Sequence, residues 1–101
     1  PGILQIKILK LLRRLLHGEE KNEKLFDIVE YIFRNNFEDS DAVEYLTVLR
    51  ILNTLGYIRN ADNINKYLDN NDVNSSLISS INQDKQDIIK LINQALQESQ
   101  L

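Results

Sequence analysis

Hydrophobic residues recur along this chain every three or four positions, which is the spacing of one face of an α-helix. In residues 3–17 one face carries only leucine and isoleucine, namely Leu4, Ile8, Leu9, Leu11, Leu12, Leu15 and Leu16. The opposite face carries Lys7, Lys10, Arg13, Arg14 and His17. Gly18 then supplies a stop signal. No alternating strand pattern longer than four residues occurs, so the sequence predicts an all-α protein.

The second predicted helix begins at Asn22, whose side chain can cap the first turn, and ends at Asn35-Asn36. Acidic Glu23 lies in its first turn, where the helix dipole favours negative charge. The predicted buried face consists of Leu25, Phe26, Ile28, Val29, Ile32 and Phe33.

The third predicted helix follows a cap at Asp39 or Ser40 and continues to about Leu55. Its apolar positions cover roughly 220° of the helical wheel, which is typical of a helix enclosed by others. They are Ala42, Tyr45, Leu46, Val48, Leu49, Ile51, Leu52 and Leu55. Gly56 is placed to end this helix in the left-handed conformation.

The remaining sequence predicts shorter helices. A helix over residues 63–68 follows a cap at Asp62, and the polar residues 69–72 end it. One helical phase then continues from Leu77 to Leu96, and the polar residues 82–84 split it into helices 75–81 and 83–98. An unbroken helix is the alternative. We therefore expect residues 1–101 to form one compact, irregular bundle of four to six helices.

Composition excludes several kinds of site. The chain has no Cys and one His, so it offers neither a disulfide nor a thiolate zinc site. Its three glycines form no phosphate-binding loop, and no nucleophile motif occurs. No apolar run is long enough to span a membrane. We expect a non-enzymatic, cytoplasmic protein without metal or cofactor.

Charge is distributed unevenly. Residues 1–18 carry four basic and no acidic side chains, net +4, whereas the rest carries eight basic and fifteen acidic, net −7. The preferred interpretation of the basic face is an ordinary solvated helix face whose apolar side lies in the core. The asymmetry also suggests an acidic protein or a nucleic acid as partner, with Lys10, Arg13 and Arg14 as steering charges. An anionic membrane is least favoured, because this helix has no aromatic residue to anchor it.

Arg50 lies on the narrow polar strip of the third helix. An arginine framed by apolar side chains can grip a carboxylate or a phosphate with two hydrogen bonds. The preferred interpretation, however, is an arginine whose stem covers the core and whose head meets Glu44 or water.

Three short motifs resemble the RecO family of bacterial recombination mediators. Residues 47–57 resemble the family pattern F-E-L-x-L-L-x-x-L-G-Y, although Thr47 and Val48 replace its Phe and Glu. Residues 22–26 match an N-x-x-L-F stretch, and residues 95–101 resemble the family's ending. The matching structural positions are Leu25, Phe26, Leu49, Leu52, Leu55, Gly56 and Tyr57.

The resemblance implies a helical C-terminal domain that follows a DNA-binding OB-fold. The absence of a starting Met fits a piece of such a longer protein. RecO proteins work with RecR, engage the acidic tail of single-strand DNA-binding protein, and help to load RecA or anneal strands. Residues 58–74 lack the four cysteines of many members, so no zinc is expected. The alternatives are a stand-alone helical adaptor without a DNA role and, less favoured, a small helical enzyme.

Overall fold

The computed structural model describes residues 3–16, 22–35, 41–59, 64–68 and 73–99, and within these ranges it contains six α-helices and no strand. They are α1 (Ile3–Leu15), α2 (Glu23–Asn35), α3 (Asp41–Thr54), α4 (Asn65–Leu68), α5 (Ser75–Gln83) and α6 (Lys85–Ser99). The radius of gyration, 12.8 Å, is close to the roughly 13 Å of a compact domain of this length. The predicted all-α bundle is confirmed. None of the described helices is both long and apolar enough to cross a membrane.

Helix α3 is the central helix of the bundle. It packs against each of the other five helices, with α6 and α2 as its largest neighbours. Leu49, Ile51 and Leu52 on this helix have no exposed surface. Thr47 is also buried, and its hydroxyl donates to the carbonyl oxygen of Val43 at 2.8 Å. The prediction that the other helices surround this one is confirmed.

Gly56 ends α3 as predicted. Its φ angle is +88°, in the left-handed region that favours glycine. The amide of Tyr57 donates to the carbonyl oxygen of Leu52 at 2.9 Å, and the amide of Gly56 donates to the carbonyl oxygen of Asn53 at 3.0 Å. These two bonds form a Schellman motif, which satisfies carbonyls that the helix end leaves unpaired. The motif also turns the following residues, 57–59, back along the bundle toward α6.

Asparagine side chains cap two helices. Asn22 accepts a hydrogen bond from the amide of Leu25 at 3.1 Å, which confirms the predicted start of α2. Asn74 caps α5 in the same way, accepting from the amide of Leu77 at 2.8 Å. The other predicted signals, at positions 17–18, 39–40, 62 and 69–72, lie outside the described residues.

The predicted break in the C-terminal helical pattern is confirmed, and it falls at Asp84. This residue closes α5 by donating its amide to the carbonyl of Ser80 at 3.0 Å. Its own carbonyl accepts from the amide of Ile88 at 3.0 Å, which starts α6. Helix α5 ends two residues later than the sequence indicates and α6 begins two residues later, so the break occupies Asp84 alone.

Three apolar side chains that were expected to be buried are exposed. Leu9 is 48% exposed, Phe26 65% and Phe33 36%, so these predictions are wrong. Helices α1 and α2 lie at the outside of the bundle and bury only a narrow stripe. The buried positions on them are Leu4, Ile8, Leu15, Leu25, Ile28 and Ile32. The apolar faces of α1 and α2 are therefore wider than the part of each helix that α3 covers.

Candidate functional site: a groove beside helix α6

Arg50 is an internal residue and cannot grip a partner at the surface. It is only 7% exposed, and its Nε donates to the backbone oxygen of Tyr67 at 2.8 Å. Helix α4 has four residues, so this carbonyl has no partner within its own helix. Glu44 pairs instead with Lys7, Nζ to Oε1 at 3.1 Å. The burial of Arg50 confirms the interpretation that its stem covers the core, although its Nε bonds a backbone oxygen rather than Glu44. The interpretation of a surface grip is wrong, and the hydrogen bond instead fastens α4 to α3.

Tyr67 fastens α4 on its other side. Its side chain is fully buried, and its hydroxyl donates to Oδ2 of Asp84 at 2.5 Å. Lys66 also reaches this carboxylate, with Nζ 3.4 Å from Oδ2. A buried tyrosine usually finds such a partner for its hydroxyl. The hydrogen bond from Tyr67 holds Asp84 at the junction of α5 and α6, which explains why the helical pattern is interrupted at this residue.

Tyr67 and Asp84 both have shifted pKa values, and the two shifts favour a neutral phenol and an ionised carboxylate. Burial raises the pKa of the Tyr67 phenol, and its bond to the Asp84 carboxylate raises it further. The hydrogen bond from Tyr67 is the main reason why the pKa of Asp84 is lowered, and Lys66 lowers it further. The phenol therefore stays neutral and the carboxylate stays ionised around neutral pH. The Tyr67 phenol keeps its proton and donates a hydrogen bond to the Asp84 carboxylate, so the pair has a structural role.

We expect the Tyr67 phenol to make the fold sensitive to alkali. Its pKa is raised in the folded state, so its contribution to stability is complete below about pH 10, the ordinary tyrosine pKa, and falls as the pH rises further. The free energy of unfolding should then drop by up to about 1.4 kcal/mol per pH unit from this group. Urea unfolding at pH 8 and pH 11 measures the drop.

The Tyr67→Phe variant is the control for alkaline unfolding. It should be less stable than the parent at pH 8, because the Asp84 carboxylate loses its donor. Between pH 8 and pH 11 it should lose less stability than the parent does. Equal losses in the two proteins would show that Tyr67 does not cause the alkaline sensitivity.

A groove of about 540 Å³ lies between residues 57–59 and α6. Its floor is apolar, because Ala95 is buried and small and leaves space between larger half-buried neighbours. The lining residues are Tyr57, Ile58, Arg59, Leu91, Gln94, Ala95, Gln97 and Glu98. An apolar side chain fits such a floor, and the glutamine amides at the rim can bind a polar backbone.

Arg59 is the positively charged side chain among the residues that line this groove. Its side chain is 77% exposed, and its Nε lies 3.7 Å from Oε2 of Glu98. Exposed pairs of this kind contribute little stability, so Arg59 can exchange Glu98 for another carboxylate at small cost. The arrangement can bind a ligand that combines an apolar group with a nearby negative charge.

The other predicted contact residues lie elsewhere. Lys10, Arg13 and Arg14 are exposed on α1, which packs against α2 and α3. The structure does not bring them together with Arg50, which is buried in the core. They therefore form a basic surface separate from the lining of the groove.

Arg59 is not among the contact residues that the sequence predicts. It follows the Gly56 turn closely, and Leu91 and Ala95 are spaced four residues apart on α6. The spacing of Leu91 and Ala95 indicates apolar packing. Predicting the groove would also require the knowledge that residues 57–59 lie next to α6. Among the described residues no cluster of three His, Asp or Glu side chains could hold a metal ion.

Comparison with known proteins leaves the family open. The chain matches no protein-family model, no curated protein and no solved structure.

Proposed function

We propose that this chain is a RecO-like recombination mediator domain that acts by binding, without catalysis. In this proposal the groove beside α6 receives the acidic tail of single-strand DNA-binding protein, the peptide that RecO proteins engage. One observation carries the proposal: an apolar floor lies beside an exposed arginine with a weakly held carboxylate partner. The motifs at residues 22–26, 47–57 and 95–101 support it, as does the all-α bundle.

Docking in this groove combines two interactions. The apolar end of the peptide packs against Ile58, Leu91 and Ala95, where burial of its surface supplies most of the binding energy. A peptide carboxylate replaces Glu98 on Arg59. Arg59 thus takes the role that the sequence assigned to Arg50.

The basic surface of α1 contributes at longer range. Lys10, Arg13 and Arg14 are exposed, and they raise the positive potential met by an approaching acidic peptide. Their effect is expected mainly on the association rate, and it should decrease with salt. RecR and DNA belong to the same proposal, because RecO proteins work with RecR and bind DNA mainly through their OB-fold.

Replacing Arg59 should weaken peptide binding strongly. The probe is a fluorescein-labelled peptide of eight residues with three Asp before a C-terminal Phe, titrated by fluorescence anisotropy. Arg59→Glu should raise its Kd at least about tenfold, because the carboxylates then meet two negative charges. Glu98→Gln should lower the Kd by about twofold, because Arg59 no longer has a competing partner. Arg34→Glu is the matched control, since Arg34 is another exposed arginine paired with a glutamate.

Two outcomes would contradict the proposal. If Arg59→Glu and Arg34→Glu bind the peptide equally well, the groove does not receive it. If a peptide with Asn in place of each Asp binds as tightly as the acidic one, the groove recognises apolar segments without regard to charge. That second result would favour a helical adaptor without a DNA role.

A further inference from the structure

The outer surface of α1 combines aliphatic and basic side chains. Ile6 is 43% exposed and Leu9 is 48% exposed, three residues apart on the helix. Lys10, Arg13 and Arg14 lie on the same exposed side and form no ion pair with another described residue. Phosphate groups would use the charges but gain nothing from the aliphatic side chains. A protein surface that is both apolar and acidic matches this face better.

The outer surface of α2 has that character. Phe26 is 65% exposed and Phe33 is 36% exposed, seven residues apart. Beside them is a hollow of about 190 Å³ lined by Asp27, Glu30, Tyr31 and Arg34. Glu30 pairs with Arg34, whereas Asp27 forms no ion pair among the described residues. Because Arg34 pairs with Glu30, Asp27 is the carboxylate of this hollow that can receive the end of a lysine or arginine, beside aromatic rings that aliphatic side chains can cover.

We propose that these two faces bind each other in a second copy of this chain. Helix α1 of one copy lies against α2 of the other, and the reverse contact forms at the same time. Helices α1 and α2 are neighbours that both pack on α3, and each has 13 residues, a length of about 20 Å. One two-fold axis therefore satisfies both contacts and closes the dimer.

Charge disfavours the simpler pairings, although the hollow of α2 also contains Arg34. Contact of α1 with α1 would place the basic residues Lys10, Arg13 and Arg14 against themselves. Contact of α2 with α2 would place Asp27 and Glu30 against their own copies. The crossed arrangement instead sets positive against negative twice and covers Ile6 and Leu9 with phenylalanine rings. This surface lies apart from the groove beside α6, so the dimer does not depend on peptide binding in that groove, although it uses the α1 charges that also attract the peptide.

Exchanging the charges provides the test. One variant carries Lys10→Glu, Arg13→Glu and Arg14→Glu, so both of its faces are acidic. The other carries Asp27→Lys and Glu30→Lys, so both of its faces are basic. At about 0.5 mM, where small interfaces become populated, sedimentation equilibrium should find wild-type dimers that weaken with salt. Each variant alone should be monomeric, and an equimolar mixture should restore the dimer, because opposite faces then meet again.

The controls separate the dimer from folding and from the groove. Circular dichroism should show both variants helical, and Asp87→Lys on α6 should leave the wild-type dimer unchanged. Arg59→Glu should also leave it unchanged. A monomeric wild type at this concentration would overturn the proposal, and so would a mixture that remains monomeric. If wild type is monomeric and the α1 variant loses binding to the acidic peptide or to DNA, the α1 face belongs to that partner.

Discussion

Replacing Arg50 with alanine is expected to lower the free energy of unfolding by about 3 kcal/mol. The variant loses a buried, charge-assisted hydrogen bond and leaves the carbonyl of Tyr67 in the interior without its donor. It also removes a side chain whose stem packs in the core. In a domain of this size the melting temperature should then fall by more than about 10 °C. Urea unfolding at pH 7 measures the change.

The control for Arg50 is Arg34→Ala. Arg34 also lies on a helix but is largely exposed, and its ion pair with Glu30 is of the kind that contributes little. Its removal should change the free energy of unfolding by less than about 0.5 kcal/mol. Amide exchange adds a local readout, because α4 should lose protection in the Arg50 variant before the rest of the bundle. Equal stability of the two variants would show that Arg50 does not fasten α4.

Leu52→Ala is expected to cost about 3 kcal/mol, with Phe26→Ala as its counterpart. Both residues belong to motifs that resemble the same family. Leu52 has no exposed surface on the central helix, so alanine leaves a cavity that five neighbouring helices cannot easily close. Phe26 is 65% exposed, and its replacement should change stability by less than about 0.5 kcal/mol. Chemical denaturation of the two variants under the same conditions compares them.

The opposite ranking of these two variants would contradict the fold. A large loss for Phe26→Ala would place α2 with its aromatic side toward the core. A small loss for Leu52→Ala would mean that α3 is not enclosed by its neighbours. The first result would also remove the exposed phenylalanine face from which the dimer was inferred.

Local signals in the sequence predicted most of the helices. The period of the apolar residues located α1, α2 and α3, and Asn22 and Gly56 marked a beginning and an end that hydrogen bonds confirm. The wide apolar arc of α3 identified it as the central helix. These features depend on residues within one or two turns, which is the range over which sequence patterns are informative.

Features that depend on distant contacts were not predictable. Phe26 is apolar at a helical spacing, but whether it is covered depends on how far α2 is enclosed. Arg50 lies on a polar strip, yet its partner is a carbonyl 17 residues later, brought there by the fold of α4. Arg59 and Glu98 are even further apart in the sequence. The groove arises because the Gly56 turn sends one segment across α6.

An acidic peptide with an apolar end should bind beside α6 through Arg59. The test is to titrate the unlabelled peptide into the ¹⁵N-labelled protein and to follow the amide and arginine side-chain resonances of the protein. Shifts should concentrate at residues 57–59 and 91–98, with the Nε resonance of Arg59 among the largest. Shifts confined to α1, or none at saturating peptide, would contradict it.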